Sequence, residues 1–269
     1  MFEFIERLTV PCTDDGHQFI QVERLERIQE YLAESPYVVY GERPLAVVYR
    51  HHAFDLDAPV ILISAHVDSV YPCYHARRED GMIVGTFDNS ACNGIAVALM
   101  CADRLHPQAL VAFTGDEEDE SRGADQVIEF LQNECGIYEH LEFVVALDLT
   151  EEGFPDKSYA IENLFREKNS EHSLLRFQRR RELKEYLRSI LLDSDMHFVS
   201  QSEPDESWQY DEYDLNAVGF CLPCQSVKKH MHKKAGVRIH EWAVGQYANG
   251  LSRLVSGIAE NLESKTRLR

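Results

Sequence analysis

The hydrophobic pattern of this chain is dominated by three apolar runs that each end in chemistry. PVILISAHVD occupies residues 59–68, ALVAFT at 109–114 runs straight into GDEEDES, and LEFVVALD fills 141–148. Runs of this length, rich in Val and Ile and without polar alternation, suit strands covered on both faces, as in a parallel sheet. His66 and Asp68, the acidic run Asp116 to Glu120, and Asp148 therefore fall at or just past the C-terminal ends of buried strands. Open α/β sheets hold their ligands in that crevice.

Between these runs the period changes. Residues 14–33 place Val22, Leu25, Ile28 and Leu32 at helical steps, with Thr13 or Asp14 as a cap and Ser35-Pro36 as a stop. A short strand is predicted around Leu45–Tyr49, and a loop with one hairpin over 69–84, punctuated by Pro72, Gly81 and Gly85. Residues 85–105 pass from a polar loop into a helix of small apolar residues, which predicts burial against the sheet. Gly123-Ala124 opens a helix facing inward through Val127, Phe130 and Leu131. Leu183, Tyr186, Leu187, Ile190 and Leu191 mark a helix packed on one side, and Arg176, Arg179, Arg180, Arg181, Lys184 and Arg188 read as its solvated face. Residues 204–213, PDESWQYDEY, show no clear period and read as a surface loop packed by Trp208 or as part of a substrate entrance. AVGFCLPC at 217–224 is a further strand, Val237 and Ile239 suggest a short one, and 241–262 forms a closing helix. The pattern predicts one α/β domain spanning 1–269, with a mixed, largely parallel central sheet flanked by helices.

Charge and composition narrow the function classes. A formal charge of -19 argues against nucleic acid, which requires an excess of Lys and Arg. No apolar run of about eighteen residues or more exists, and MFEFIERLTVP has neither the basic nor the apolar region of a secretory leader, so no membrane span is expected. Seven scattered cysteines do not resemble a disulfide framework, and a cytoplasmic location is the natural expectation.

Each polar group has an ordinary explanation when taken alone. A histidine at a strand end is commonly just hydrogen-bonded, Asp88 and Asn89 can cap a helix, and an acidic run is harmless on an exposed loop. Five consecutive carboxylates at the end of a central strand, however, repel one another unless a cation or solvent relieves them. Repetition at three strand ends makes a metal site the better account. His66, Asp88, Glu118 and Asp148 supply one imidazole and three carboxylates, a set suited to zinc, cobalt or manganese. A rival from another class is a Cys/His zinc clip of Cys221, Cys224, His230 and His232 in a non-catalytic binding protein. Leu222-Pro223 inside an apolar strand favours core cysteines instead.

AHVD, FDN, GDEEDESRGA and ALD, followed by a late histidine, together resemble the dinuclear zinc peptidases of the M28, M20 and M42 families, which share the aminopeptidase fold. The resemblance covers roughly residues 59–150 and, more weakly, 200–262. It implies that His66 binds one metal with its imidazole oriented by Asp68, that Asp88 bridges two metals and that Asp148 completes the first. Glu118 and His232 would bind the second, with His230 the alternative, and Glu117 would be the general base. Gly123-Ala124, six and seven positions after Glu117, set the register against the family pattern EE-x-G-x-x-G-A. Glu120 stands where that pattern has glycine. Only 22 positions separate His66 from Asp88, too few for the domain that M42 enzymes insert there, and the roughly 65 residues of 151–215 are short for the M20 dimerisation domain, so a single-domain plan like M28 is expected.

The activity this resemblance implies is hydrolysis of a peptide bond by an aminopeptidase with two divalent metals, zinc foremost. An N-acyl amino acid deacylase or carboxypeptidase-like amidohydrolase, or a metal-binding relative without turnover, are the alternatives. The substrate would be a peptide or an acylated amino acid, and a homo-oligomer is compatible with the pattern. An aminopeptidase also needs an anionic group for the substrate ammonium, for which Asp205 or Glu206 is available.

Overall fold

The computed structural model describes residues 1–10, 20–68, 74–85, 89–167, 173–192, 194–200, 205–225 and 237–267. From the N-terminus these form α1 (Phe2–Leu8), α2 (Val22–Leu32), β1 (Tyr37–Arg43), β2 (Ala46–His51), β3 (Val60–His66), β4 (Arg77–Glu79) and β5 (Met82–Val84). Next come α3 (Ser90–Cys101), β6 (Ala109–Thr114), α4 (Arg122–Asn133), β7 (Leu141–Thr150) and β8 (Tyr159–Asn163). The chain continues through α5 (Arg180–Ile190), β9 (Met196–Ser200), α6 (Glu206–Glu212), β10 (Ala217–Pro223), β11 (Arg238–His240) and α7 (Glu241–Thr266).

Eight strands make one mixed sheet in the order β1-β2-β6-β3-β7-β10-β8-β9. The three apolar runs become β6, β3 and β7, which lie side by side at its centre in parallel, with β10 parallel to β7. Every residue of β3, β6 and β10 is buried, as expected for strands covered on both faces. β4, β5 and β11 form a separate small sheet.

Alternation along β3 divides the core. Ile61, Ile63, Ala65 and Val67 pack into the larger cluster with α1, α2, α3 and α7. Val60 and Leu62 pack with Leu110, Ala112, Val144, the apolar face of α4, and Tyr210 of α6. Helix α1 can lie directly on α3 because Gly94 has no side chain there: a Cβ would come within 2.8 Å of the Ile5 backbone.

Several expectations change. The first long helix starts at Val22 among the described residues, so its expected capping by Thr13 or Asp14 lies outside them, and Val22 itself is 60% exposed. Its buried stripe is Arg24, Ile28 and Leu32. Within the stretch expected to be a loop, residues 206–212 instead form helix α6, which Asp205 caps by accepting the Ser207 and Trp208 backbone N–H groups. At seven residues, α6 is too short to show the repeated apolar period on which a helix is recognised. Helix α1 and strands β1, β8 and β9 are additions, all seven residues or fewer. The predicted hairpin is β4–β5, turning through Asp80 and Gly81, both at positive φ.

Candidate active site

The strand register brings the polar groups together. His66 pairs with Thr114 of β6, and Ala65 with Leu147 of β7, so β3 and β6 end at one level, beside Asp148 of β7, which runs on to Thr150. The His66 side chain is 4% exposed, and its Nδ1 lies 3.0 Å from Asp68 Oδ1. With Nδ1–H donated to that carboxylate, Nε2 is left as the free nitrogen, 3.5 Å from Asp148 Oδ1 and 3.9 Å from Glu117 Oε2. His66, Glu117 and Glu118 each offer a ligand atom, and the three atoms lie within 4.8 Å of one another. The other Asp68 oxygen accepts the Glu118 backbone N–H at 3.1 Å.

The segment carrying His66 and Asp68 is clamped from several sides. Val67 N–H donates to the Thr114 carbonyl at 2.7 Å, and the Val67 carbonyl accepts from the buried Arg24, whose Nε also holds the Leu8 carbonyl. Asn93, inside α3, donates to the His66 carbonyl at 3.0 Å. Asn89 donates to the Leu147 carbonyl at 2.6 Å, so its side chain braces β7 and does not cap α3 as expected.

The acidic run is sorted by its backbone. Asp116, at φ 66, turns inward, is fully buried and accepts from both Nε and Nη2 of Arg122, one on each carboxylate oxygen. Glu117 faces the cluster at 11% exposure, while Glu118, Asp119 and Glu120 reach solvent. The left-handed residue of this run is Ser121, at φ 52, one position after Glu120. Gly123 then lets α4 start hard against the strand end, since a Cβ would come within 2.5 Å of the Gly115 carbonyl oxygen.

Electrostatics mark the cluster as a place for positive charge. Burial alone would lower the His66 imidazole, but the carboxylates of Glu117, Asp148 and Asp68 outweigh it and raise it well above its ordinary value. Burial pushes the Glu117 carboxyl well up, with His66 opposing and Asp148, Glu118 and Asp68 adding to the rise. The negative potential that holds a proton on His66 also suits a divalent cation, and the donors, one imidazole nitrogen and several carboxylate oxygens, fit zinc. Asp88, His230 and His232 lie outside the described residues. Cys221 and Cys224 are buried core thiols, both pushed well up by burial, and Cys221 sits beside Asp148 in the β10–β7 ladder.

A cleft of about 320 Å³ opens over Glu117, lined also by Asp119, Asp205, Trp208 and Gln209. Of the two acids expected to meet a substrate ammonium, Asp205 lines this cleft, whereas Glu206 is buried and does not. Ser64, Asn93, Thr114, Arg24 and Tyr210 also shape the site and belong to none of its motifs. A lone serine in the run VILISAH and an asparagine inside ACNGIAVALM were visible signals, because a polar group in a buried run needs a partner. Nothing in the sequence distinguished Arg24 from the other charged residues of its helix.

No family model and no curated protein sequence matches the chain. The fold is that of the aminopeptidase-type zinc peptidases. Aminopeptidase PepT from Bacillus cereus ATCC 10987 matches with a TM-score of 0.68 at 11% identity, over 96% of this chain and 97% of that one. The TET aminopeptidase of Thaumarchaeota archaeon SCGC AB-539-E09 matches with a TM-score of 0.69 at 10% identity, over 98% and 99%. BSAP, a zinc aminopeptidase from Bacillus subtilis, gives 0.52 at 13% identity, over 79% of this chain and 49% of that one. No described helix is long and apolar enough to cross a membrane.

Proposed function

We propose that the chain is a metal-dependent aminopeptidase that hydrolyses the amide bond of a peptide substrate with two divalent cations, zinc by preference. The observation that supports it is the convergence of His66 Nε2, Asp148 Oδ1 and Glu117 Oε2 where β3 and β6 end beside β7, with Asp68 fixed behind the imidazole. His66, Asp148 and Glu118 would hold the cations together with Asp88 and His232. When bound, the cations supply Lewis acidity toward water and the scissile carbonyl.

The remaining steps belong to the chain's own residues. Asp68 keeps the proton on Nδ1 and so aims the Nε2 lone pair outward. Glu117, made more basic by its burial among carboxylates, takes a proton from the attacking water and passes it to the leaving amine. Its side chain, 11% exposed where it lines the cleft, meets little bulk water. Asp205, at the cleft wall, is the group proposed to receive the substrate ammonium.

Assay of an aminoacyl-amide panel beside N-acetylated counterparts, with zinc, cobalt or manganese added, tests this reading. Cleavage confined to free amino termini is the expected result. Preference for the acetylated series would assign a deacylase, and metal uptake without hydrolysis a binding protein. Light scattering on the same sample gives the oligomeric state.

A further inference from the structure

Beside the site lies an acid that the proposed chemistry leaves unused. Glu206 is 3% exposed, and neither of its carboxyl oxygens has a hydrogen-bond partner; the buried Thr114 Oγ1 lacks one too. Leaving buried polar groups unpaired is unfavourable, and such groups gather where a fold serves a site rather than its own stability.

The geometry fixes what Glu206 faces. Helix α6 is held to the sheet by Tyr210, whose hydroxyl lies 2.8 Å from Ser64 Oγ. Glu206 precedes Tyr210 by four residues and shares its stripe of the helix, while His66 follows Ser64 by two and shares its face of β3. Each step covers about 6 Å, which sets Glu206 at the level of His66 and of Thr114, its partner across the ladder. The electrostatics agree: burial pushes the Glu206 carboxyl up to about 7, while the Thr114 and Ser64 hydroxyls and the His66 charge act to lower it. Thr114 in turn accepts Val67 N–H with its carbonyl, at the centre of the segment that presents His66 and Asp68.

We infer that Glu206 is a positioning residue of the metal-binding edge: its carboxyl and the Thr114 hydroxyl, each without another partner, stand close enough to interact and so fix the strand end that carries His66 and Asp68. The inference rests on the metallopeptidase reading for its functional consequence, but the orientation of His66 can be measured without metal or substrate.

The test compares Glu206→Leu, Glu206→Gln and Thr114→Val with the parent chain. Three quantities are read: melting temperature, zinc affinity by calorimetric titration, and the ring nitrogen signals of His66 by NMR after chelation. Glu206→Leu should melt no lower than the parent, since it exchanges a buried acid that is costly to desolvate for an apolar group, yet bind zinc at least tenfold more weakly with shifted His66 signals. Thr114→Val should reproduce the weaker zinc binding and the shift, and Glu206→Gln, which keeps a donor and an acceptor, should restore both to within threefold of the parent. A purely structural role would lower the melting temperature and leave zinc affinity intact; that pattern overturns the inference, as do parental His66 signals in Glu206→Leu and Thr114→Val. If Glu206→Leu does not fold, Thr114→Val decides. A parent chain that takes up no zinc would defeat the metallopeptidase reading instead, and the His66 signals would then decide the role of Glu206 alone.

Discussion

Asp68 joins two parts of the site: with one oxygen it holds His66 Nδ1 at 3.0 Å, and with the other it accepts the Glu118 backbone N–H at 3.1 Å. A single carboxylate thus sets both the imidazole and the turn that carries the acidic residues. Asp68→Asn keeps the shape but offers only one acceptor oxygen, so one of the two contacts must weaken. Zinc affinity is expected to fall about 10–100-fold, the usual cost of losing such a supporting carboxylate. Unchanged affinity by competition with a chromogenic chelator would remove Asp68 from this role.

Glu117 and Glu118 are neighbours with separable tasks. Glu117→Gln should lower kcat by roughly 10²–10⁴ while zinc content stays at the parental level, because an amide cannot accept the water's proton. Glu118→Gln should lower the zinc content instead. Activity of Glu117→Gln within tenfold of the parent would rule out the base assignment.

The cluster of carboxylates around His66 should make the empty chain less stable than the loaded one. At a free zinc concentration one hundred times Kd, binding to the folded state alone adds about 2.7 kcal/mol. Chelation should therefore lower the melting temperature and added zinc restore it. A melting curve that does not move, with metal loss verified by elemental analysis, would count against convergence.

The last ligand can be assigned by stoichiometry. His232→Ala is expected to lose one metal per chain and nearly all activity, and His230→Ala to keep both metals with a modest loss. The reverse pattern would exchange the two residues, and full occupancy in both variants would point to another histidine.

Glu206 should also write itself into the pH dependence of stability. Its folded value is raised to about 7 from an ordinary 4.5, so the folded chain holds a proton that the unfolded chain releases between these values. Its contribution is fully present below about pH 4.5 and is lost as pH rises toward 7, amounting to roughly 3 kcal/mol. Glu206→Gln removes this slope, so its stability relative to the parent should grow across that interval after chelation. Parallel curves for the two proteins would show that the acid is not perturbed.

The central strands were readable because burial on both faces writes long apolar runs, and the candidate cluster was readable because those runs lead to His66, Glu117 and Asp148. What escaped was shorter or depended on tertiary contact. Strand β8 and helix α6 are too brief to display a period, and α6 owes its place to Tyr210 meeting Ser64, residues 146 positions apart. Glu206 read as a surface acid because its composition is that of a loop; only the packing of α6 on the sheet buries it. The acidic run read as five repelling charges, whereas the left-handed turns at Asp116 and Ser121 send its members in different directions.

The small sheet has a consequence for biosynthesis. β11 at 238–240 pairs with β5 at 82–84, across an interval of 154 residues (238 − 84), and these strands lie next to the segments that carry His232 and Asp88. So distant a closure is entropically late, and the strands of the main sheet, all made earlier, can pair before it. On a translating ribosome the proposed activity would stay absent until residue 240 had emerged and joined its partner. Activity appearing in stalled nascent chains shorter than this would show that the ladder is dispensable for assembling the site.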